Sequence, residues 1–491
     1  MVDCAIICDV IHFLSCVLND GDMSSCFNCN VGVRQGENLS PVLFSIFIND
    51  FDRHLSRCYN GLNTLSSSVK DILSTEDIEV FWKLYTLLYA DDTIVLAENE
   101  MDLQNALDGV KSYCDKWQLT LNTSKTKVVV FSRGKIRRKP SFTLGDSPVE
   151  VVEDYSYLGC TFNYNNRFTK AVNKQVNQAR RALYSLLSKS RNLRLPLDLQ
   201  IQLFDQLVLP ILLYGCEVWG CDNYSQVEAF HVKFCKQILK LNKHTPNCMA
   251  YGELGRHKLN ELIEVRMVNF WCRIVNGSEF KLSNMMYKFL RVLYDQNIYY
   301  SSWLSTIKNI LNKAGMSFVW NLPNSVNFNF SPNNAIIPLP WLSKAIKLRL
   351  SDMYKQDWLA EVNRNSHCKV YRMFKTSLEF EKYLQILDFR NRNYLCKFRC
   401  TNTNIPVVSG RYHNIVFHDR ICNLCKGDYL GDEFHYILEC AAFKNERNLF
   451  LKPYFRKRPS SIKMRDLFQS KSKSVIKNLS LFCSKIMKAF P

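Results

Sequence analysis

Two adjacent carboxylates, Asp91 and Asp92, are the residues of this sequence whose spacing most directly suggests chemistry. They lie between two short runs of aliphatic and β-branched residues, a pattern that predicts a β-hairpin with the acids at its tip. Two like charges held this close are unfavourable unless cations neutralise them, and carboxylate oxygens are ligands that Mg²⁺ prefers. An isolated Asp-Asp pair is also typical of a solvated turn, so the neighbouring segments must decide between the two.

A loop and helix upstream of the acids form a second candidate element. Arg34, Gln35 and Gly36 lie in a glycine-flanked loop. Ser40 and Pro41 follow it and are typical of a helix N-cap and a first helical residue. Apolar residues then recur at helical spacing, which predicts a buried helix face that holds the loop in one place. These apolar residues are Val42, Leu43, Ile46, Phe47 and Phe51.

Two further motifs lie downstream of the acids. Asn122 to Lys127 reads N-x-x-K-T-K and runs into a strand predicted at residues 128–131, and residues 157–159 read Y-L-G. The motifs R-Q-G-x-x-L-S-P-x-L-F, Y-A-D-D, N-x-x-K-T-K and Y-L-G occur in this order over about the first third of the chain. In series they resemble the palm motifs of reverse transcriptases, in particular those of non-LTR (LINE-type) retrotransposons.

The resemblance implies a nucleotidyl-transfer site that uses Mg²⁺. Asp91 matches the main metal ligand, and Asp92 is its acidic neighbour. Lys125 matches a lysine near the triphosphate, where a cation stabilises the charge of the leaving group. The alternative for Lys125 is a solvated residue at a turn.

Other residues match substrate-binding positions of the same family. Those near the incoming nucleotide and template strand are Arg34, Gln35, Gly36 and Tyr89, and those of the primer grip are Tyr157, Leu158 and Gly159. Gln35 as an ordinary loop residue and Tyr157 as a core residue are the alternatives. The occurrence of all four motifs in series favours the functional interpretation over these alternatives.

One part of the family pattern is missing from this sequence. A further metal-binding aspartate is expected on an earlier palm strand, in a pattern like D-x-x-x-A-F-D. Only Asp3 to Asp9 copies the outer spacing of that pattern, and it lacks the Ala-Phe pair and lies too close to Gln35. The fingers subdomain, expected earlier still, is not recognisable either. We therefore expect a truncated palm that is weakly active or inactive alone.

A second possible metal site lies near the C-terminus, in the pattern Cys422-x2-Cys425-x9-His435-x4-Cys440. Three thiolates and one imidazole suit tetrahedral Zn²⁺, and a closed set of four protein ligands is typical of a structural site. The alternative is four unrelated residues in a cysteine-rich chain. The segment resembles the cysteine–histidine segment at the end of LINE-type polymerases, which implies contact with nucleic acid.

Composition limits the classes of protein that remain. The 491 residues are 47% hydrophobic and 13% aromatic, which argues against disorder. No apolar run is long enough for a membrane span, and no signal-peptide pattern is seen. The 20 cysteines are mostly isolated and predict buried thiols in a reducing compartment, hence nucleus or cytoplasm.

The charge of the chain predicts a polyanionic partner. The formal net charge is +19, and thirteen Lys or Arg against two acidic residues lie from Lys444 to the end. A second basic cluster contains Arg133, Lys135, Arg137, Arg138 and Lys139. A solvated basic face is the alternative for both clusters, but each adjoins a segment that the motifs connect with nucleic acid.

The predicted fold is an α+β palm remnant of a right-hand polymerase, followed by a mainly helical thumb and connector, with a small zinc-knuckle unit near the C-terminus. The predicted segments are a palm remnant (1–165), a helical thumb (166–250), a helical connector (251–322), a Pro/Asn-rich linker (323–340), a helical region (341–410), a CCHC zinc knuckle (411–450) and a basic tail (451–491).

The predicted function is RNA-directed DNA polymerisation. Its partners would be an RNA template, a DNA primer and dNTPs, with Mg²⁺ as catalytic and Zn²⁺ as structural cofactor. The alternative is a non-enzymatic nucleic-acid-binding protein, in which the thumb, basic tail and zinc knuckle bind RNA or DNA and the palm is only a scaffold. A third possibility is an unstable genomic relic.

Overall fold

The structure is a computed structural model of the chain. It describes residues 13–16, 18–19, 22–29, 38–61, 86–89, 92–132, 134, 138–222, 224–278, 281–320, 329–330, 335–336, 339–425 and 427–490. The chain divides into two compact units: Met1–Tyr155 with Asn163–Asn166, and Ser156–Phe162 with Arg167–Pro491. The described part is mainly helical with short strands, so the predicted mixture of helix and sheet is confirmed.

Short strands alternate with helices in the first unit. Its described elements are β1 (Phe13–Ser15), β2 (Leu18–Asn19), β3 (Asp22–Met23), β4 (Phe27–Cys29), α1 (Ser40–Phe47), α2 (Phe51–Leu55), β5 (Thr86–Tyr89), β6 (Asp92–Val95), α3 (Glu100–Lys116), β7 (Lys127–Val129), β8 (Phe142–Leu144) and β9 (Ser147–Val152). Strands β7, β9 and β8 form a sheet in that order, with β7 parallel and β8 antiparallel to β9. A hairpin of β10 (Asp154–Tyr157) and β11 (Cys160–Asn163) follows.

Helix α3 organises the core of the first unit. The side chain of Asn99 caps its first turn by accepting a hydrogen bond from the backbone N–H of Asp102 at 2.8 Å. Its buried face packs on α2 with Tyr113 and on the three-stranded sheet with Leu107. Helix α3 therefore supports the strands that surround the motifs.

Helix α1 begins at a different residue and buries a different side than the sequence predicted. Ser40 is the first helical residue rather than the N-cap, which is Leu39, and no side chain caps the helix. Val42 and Ile46 are 53% and 56% exposed, so the predicted buried face is wrong for these two residues. The covered side of the helix lies one position further round, where Leu43 and Phe47 are half-buried and the Phe47 ring centroid lies 5.4 Å from that of Trp117.

Helices make up almost all of the described second unit. They are α4 (Thr169–Asn192), α5 (Leu197–Leu203), α6 (Leu209–Leu212), α7 (Cys216–Trp219), α8 (Ser225–Ile238), α9 (Asn247–Leu254), α10 (Leu259–Val275), α11 (Leu282–Asp295), α12 (Ser302–Lys313), α13 (Ser317–Trp320), α14 (Leu339–Arg364), α15 (Tyr371–Phe374), α16 (Tyr383–Ile386), α17 (Phe389–Arg399), α18 (Pro406–Tyr412), α19 (Lys444–Phe450), α20 (Pro453–Arg456), α21 (Ser461–Phe468) and α22 (Lys473–Lys488). Two strand pieces, β12 (Asn329–Phe330) and β13 (Ala335–Ile336), pair with each other.

One continuous apolar core runs through the second unit, from α4 to α22. The Pro/Asn-rich segment predicted as a linker at 323–340 lies largely outside the described residues. None of the helices that the structure describes combines the length and the apolar character needed to cross a bilayer.

The segment predicted as a basic tail is folded. Residues 453–488 form α20, α21 and α22, and α22 packs against α17. Phe482, Cys483 and Ile486 are fully buried on one side of α22. Its lysines occupy the other side, because the 3.6-residue period separates the apolar from the charged positions. The positive charge is therefore presented by a helix face rather than by a free tail.

Candidate active site and metal centre

The predicted acidic hairpin is present. Strands β5 and β6 pair antiparallel, with Tyr89 opposite Asp92 and Leu88 opposite Thr93. The two paired strand ends are separated by two positions in the sequence, the separation found in tight hairpins. Asp92 begins β6 with its side chain exposed.

Several predicted site residues lie outside the described part of the chain. They are Arg34, Gln35, Gly36 and Asp91, and for Tyr89 only the backbone is described. Whether the glutamine–glycine loop faces the acidic hairpin stays a prediction.

The N-x-x-K-T-K segment forms a turn built on Asn122. Its side-chain oxygen accepts hydrogen bonds from the Ser124 hydroxyl at 2.7 Å and from the backbone N–H of Lys125 at 3.2 Å. This is the local bonding that favours asparagine in turns. Lys127 is occupied, because its ammonium pairs with Glu150 at 2.9 Å and lowers the pKa of that carboxyl. The exposed Lys125 is thus the cation of this motif that remains available to a ligand.

The Y-L-G motif is the turn of the β10–β11 hairpin. Leu158 and Gly159 both have positive φ, 47° and 78°, the combination found in type I′ hairpin turns. The turn belongs to the second unit and is anchored by side chains of that unit. Gln175 of α4 donates to the carbonyl of Gly159 at 3.1 Å, and the Tyr214 hydroxyl donates to the carbonyl of Leu158 at 2.7 Å. The segment predicted as primer grip is therefore a fixed turn with a strained leucine.

Replacing Gly159 by alanine is expected to destabilise this turn by about 1–2 kcal/mol, because a Cβ is disfavoured in the left-handed region. The Cβ would also lie 3.0 Å from the Tyr214 ring. Thermal unfolding of the full chain would measure the effect. Gly134→Ala is the control, since a Cβ there meets no atom within 4 Å. Equal unfolding temperatures for the two variants would contradict this account of the turn.

Helix α4 carries a basic face that the sequence analysis did not identify. It contains six Lys or Arg residues and no Asp or Glu, over about 36 Å at 1.5 Å per residue. The apolar side is buried through Val172, Val176 and Leu183. The α4 basic face consists of Lys170, Lys174, Arg180, Arg181, Lys189 and Arg191. The absence of acids from 24 successive residues was the sequence signal that could have revealed it.

The four predicted zinc ligands come together. All their ligand atoms lie within 4.8 Å of one another. The Cys422 and Cys440 sulfurs are 3.9 Å apart, and the Cys425 sulfur is 3.5 Å from Nε2 of His435. Tetrahedral Zn²⁺ with ordinary bond lengths places two sulfurs about 3.8 Å apart and a sulfur and a nitrogen about 3.6 Å apart. This Cys₃His cluster could therefore hold a metal ion.

A π-helical turn explains the spacing of the last two ligands. Residues His435–Glu439 form it, and the Cys440 N–H donates to the His435 carbonyl at 2.8 Å. The five-residue separation is too long for one α-helical turn, and the wider turn accommodates it. The ring Nδ1 of His435 lies 3.7 Å from a Glu439 carboxylate oxygen, the type of partner that orients a metal-bound imidazole.

The thiols of the cluster differ in acidity. Burial alone would raise the pKa of the Cys422 thiol. Hydrogen bonds from the Tyr436 hydroxyl and from the backbone N–H groups of Leu424 and Cys425 have the larger effect and lower this pKa to about 6. Burial raises the pKa of Cys440 to about 12. Because a metal binds thiolates, its binding would displace a proton from Cys440 at neutral pH.

The first part of the chain matches a known protein family. Residues 5–162 match the family described as reverse transcriptase (RNA-dependent DNA polymerase). The chain carries a reverse transcriptase domain. This segment contains all four motifs from R-Q-G to Y-L-G.

Relatives identify the type of reverse transcriptase. The RNA-directed DNA polymerase from mobile element jockey of Drosophila melanogaster is 25% identical over 231 residues, which cover 45% of this chain and 23% of that protein. The Pol polyprotein from retrotransposable element R2 of Popillia japonica is 27% identical over 241 residues, 45% of this chain and 35% of that protein. The predicted resemblance to non-LTR retrotransposon reverse transcriptases is thus confirmed, and the matched part of the chain spans only 23% and 35% of the length of these two relatives.

Proposed function

We propose that this reverse transcriptase domain polymerises DNA on an RNA template. The observation that supports this most directly is the β5–β6 register. It puts Asp92 at the start of β6, opposite Tyr89, within a segment that matches the reverse transcriptase family. An acidic pair on a hairpin is the arrangement that can hold divalent cations next to a primer terminus.

In this proposal Asp91 and Asp92 hold Mg²⁺. Bound Mg²⁺ would supply charge stabilisation for attack of the primer 3′-hydroxyl on the α-phosphate of a dNTP. Lys125 lies near the triphosphate and stabilises the charge that develops on the leaving pyrophosphate. Arg34, Gln35, Gly36 and Tyr89 contact the nucleotide and template, and the Tyr157–Leu158–Gly159 turn positions the primer.

The second unit holds the nucleic acid in the same proposal. The α4 basic face has the charge and length to follow a phosphate backbone, and phosphate contacts give affinity that does not depend on sequence. Its helix also bonds to the Gly159 turn through Gln175. The Cys₃His cluster binds Zn²⁺, which holds residues 422–440 in one conformation.

Primer extension tests this function. On poly(A)–oligo(dT) with Mg²⁺, we expect weak dTTP incorporation by the chain alone, because the sequence before Arg34 lacks the D-x-x-x-A-F-D pattern. Asp91→Asn and Asp92→Asn should each abolish it, and Asp108→Asn, an exposed acid on α3, should not. Incorporation that persists in the Asp91→Asn chain would contradict the assignment. Robust synthesis that depends on Asp91 would support polymerase activity and overturn the expected weakness.

A non-enzymatic nucleic-acid-binding protein is the second candidate. It is favoured by basic helix faces on both α4 and α22, neither of which includes an acidic residue. Salt-dependent RNA binding that survives Asp91→Ala with Asp92→Ala, together with no measurable incorporation by the unmodified chain, would select this candidate.

A further inference from the structure

A cleft of about 560 Å³ in the second unit has no role in the function proposed above. Its walls come from the π-helical segment Phe204–Val208, the connection between α9 and α10, helix α10 and helix α14. The volume is within the range of pockets that hold small organic ligands. The residues that line the cleft indicate which kind of ligand it would bind.

The two carboxylates of the cleft already have basic side chains of its wall as partners. Asp205 accepts two hydrogen bonds from the guanidinium of Arg256, at 3.1 and 2.6 Å. Glu261 lies 2.7 Å from Nδ1 of His257. The lining holds these two carboxylates against four Lys or Arg side chains.

Three further cations line the cleft without a carboxylate partner among the described residues. They are Lys258, Arg266 and Lys347. The Lys258 ammonium lies 5.9 Å from the ring of Tyr354, and Arg266 makes one long bond, 3.5 Å, to the carbonyl of Leu213. The cleft therefore has an excess of positive charge that an anion would neutralise.

The wall that carries these cations is fixed. Gly255, at the end of α9, has φ of 59°, and a Cβ there would lie 2.4 Å from the backbone nitrogen of Phe380. The Arg256 guanidinium lies 5.5 Å from the Phe204 ring, and its Nε donates to Nε2 of the buried His231 at 2.9 Å. An anion would meet a preformed site, which reduces the entropy lost on binding.

The remaining lining is suited to the uncharged part of a nucleotide. Leu209, Leu262 and Val265 supply apolar surface, and Asn269 and Ser343 supply hydrogen-bonding groups. Apolar contact with a few convergent polar groups is the usual composition of a small-molecule site.

We propose that this cleft binds a phosphate-bearing ligand of nucleotide size, with the phosphate on Lys258, Arg266 and Lys347. The phosphate belongs either to a free nucleotide or to a nucleotide within a strand. The proposal does not depend on DNA synthesis by the first unit.

Binding to the full zinc-loaded chain, without added Mg²⁺, tests this. The probes are fluorescently labelled dATP and labelled twelve-residue oligo(dT), followed by fluorescence anisotropy. Lys347→Glu should weaken binding about tenfold or more, since reversing one charge next to a phosphate is worth at least about 1.4 kcal/mol. Lys355→Glu is the control, because Lys355 is an exposed lysine on the same helix and does not line the cleft.

Each outcome decides the proposal. If Lys347→Glu alone weakens the binding of dATP, the ligand is a free nucleotide. If it weakens the binding of oligo(dT) only, the ligand is a nucleotide within a strand. Arg266→Gln should weaken the same probe. Absence of binding by the unmodified chain, or equal effects of Lys347→Glu and Lys355→Glu, overturns the proposal. The measured quantity is binding without Mg²⁺ and not incorporation of nucleotide, which separates this test from that of the polymerase.

Discussion

Replacing Cys440 by alanine is expected to release Zn²⁺ from the chain and to unfold the segment around residues 422–443. The four ligands approach one another at tetrahedral distances and come from a loop and a π-helical turn that contribute little regular structure of their own. Binding to structural zinc sites of this kind is worth about 10 kcal/mol or more at neutral pH, and this free energy holds the ligand segment folded.

The zinc content of the purified chain and hydrogen exchange of its backbone amides measure this effect. We expect about one zinc per chain in the unmodified protein. The Cys440→Ala chain should hold little zinc and should exchange rapidly over residues 422–443. Cys26→Ser is the matched control, because Cys26 is an exposed thiol outside the cluster. A Cys440→Ala chain that retains its zinc and its protection from exchange would contradict the site.

Glu253→Gln is expected to destabilise the second unit by about 3–5 kcal/mol, the usual effect of breaking a buried ion pair. Glu253 is 0% exposed and Arg399 is 2% exposed. The carboxylate accepts bonds from Arg399 at 2.8 and 3.1 Å and from the Tyr383 hydroxyl at 2.6 Å. Removing the negative charge leaves a guanidinium in the core with only part of its partners.

Chemical denaturation of the full chain would measure this change. Asp352→Asn is the control, because Asp352 and Lys355 pair at 3.4 Å with both side chains at least half exposed, and such a surface pair is worth about 0–1 kcal/mol. Similar decreases in the free energy of unfolding of the two variants would show that burial does not govern the strength of the Glu253–Arg399 pair.

The same pair also predicts a pH dependence. Burial alone would raise the pKa of Glu253, but Arg399 outweighs it and holds the pKa below its ordinary value. The carboxylate therefore stabilises the fold above the unfolded pKa of about 4.3. This contribution is lost as the pH falls from there through the lower pKa of the folded state.

The elements predicted best from sequence were those with local signals. The β5–β6 hairpin follows from two short apolar runs within one segment, and the structure has it. The Cys₃His cluster was also accessible, because four ligand types at known spacings encode it. In each case the pattern and the structural element occupy the same short stretch of chain.

Features that depend on distant residues were not predicted. Glu253 and Arg399 are 146 positions apart, and nothing in either neighbourhood indicates the other. The cleft around Lys347 is assembled from three separated segments, so only the fold brings its cations together. The burial of α22 also escaped prediction, since its many lysines concealed an apolar face that packs on α17.

In the proposed function, the α4 basic face of the second unit holds the template–primer duplex. Its most direct test is the affinity of the full chain for an RNA–DNA heteroduplex, measured as a function of salt concentration. Arg180→Gln, Arg181→Gln and Arg191→Gln together should reduce the slope of log affinity against log salt by about 2–3, close to one for each phosphate that the variant no longer neutralises. The matched control is Arg349→Gln, Lys355→Gln and Arg364→Gln, which removes three exposed charges from α14. An unchanged slope for the control and a reduced slope for the α4 variant is the predicted result, and equal slopes for the two would contradict it.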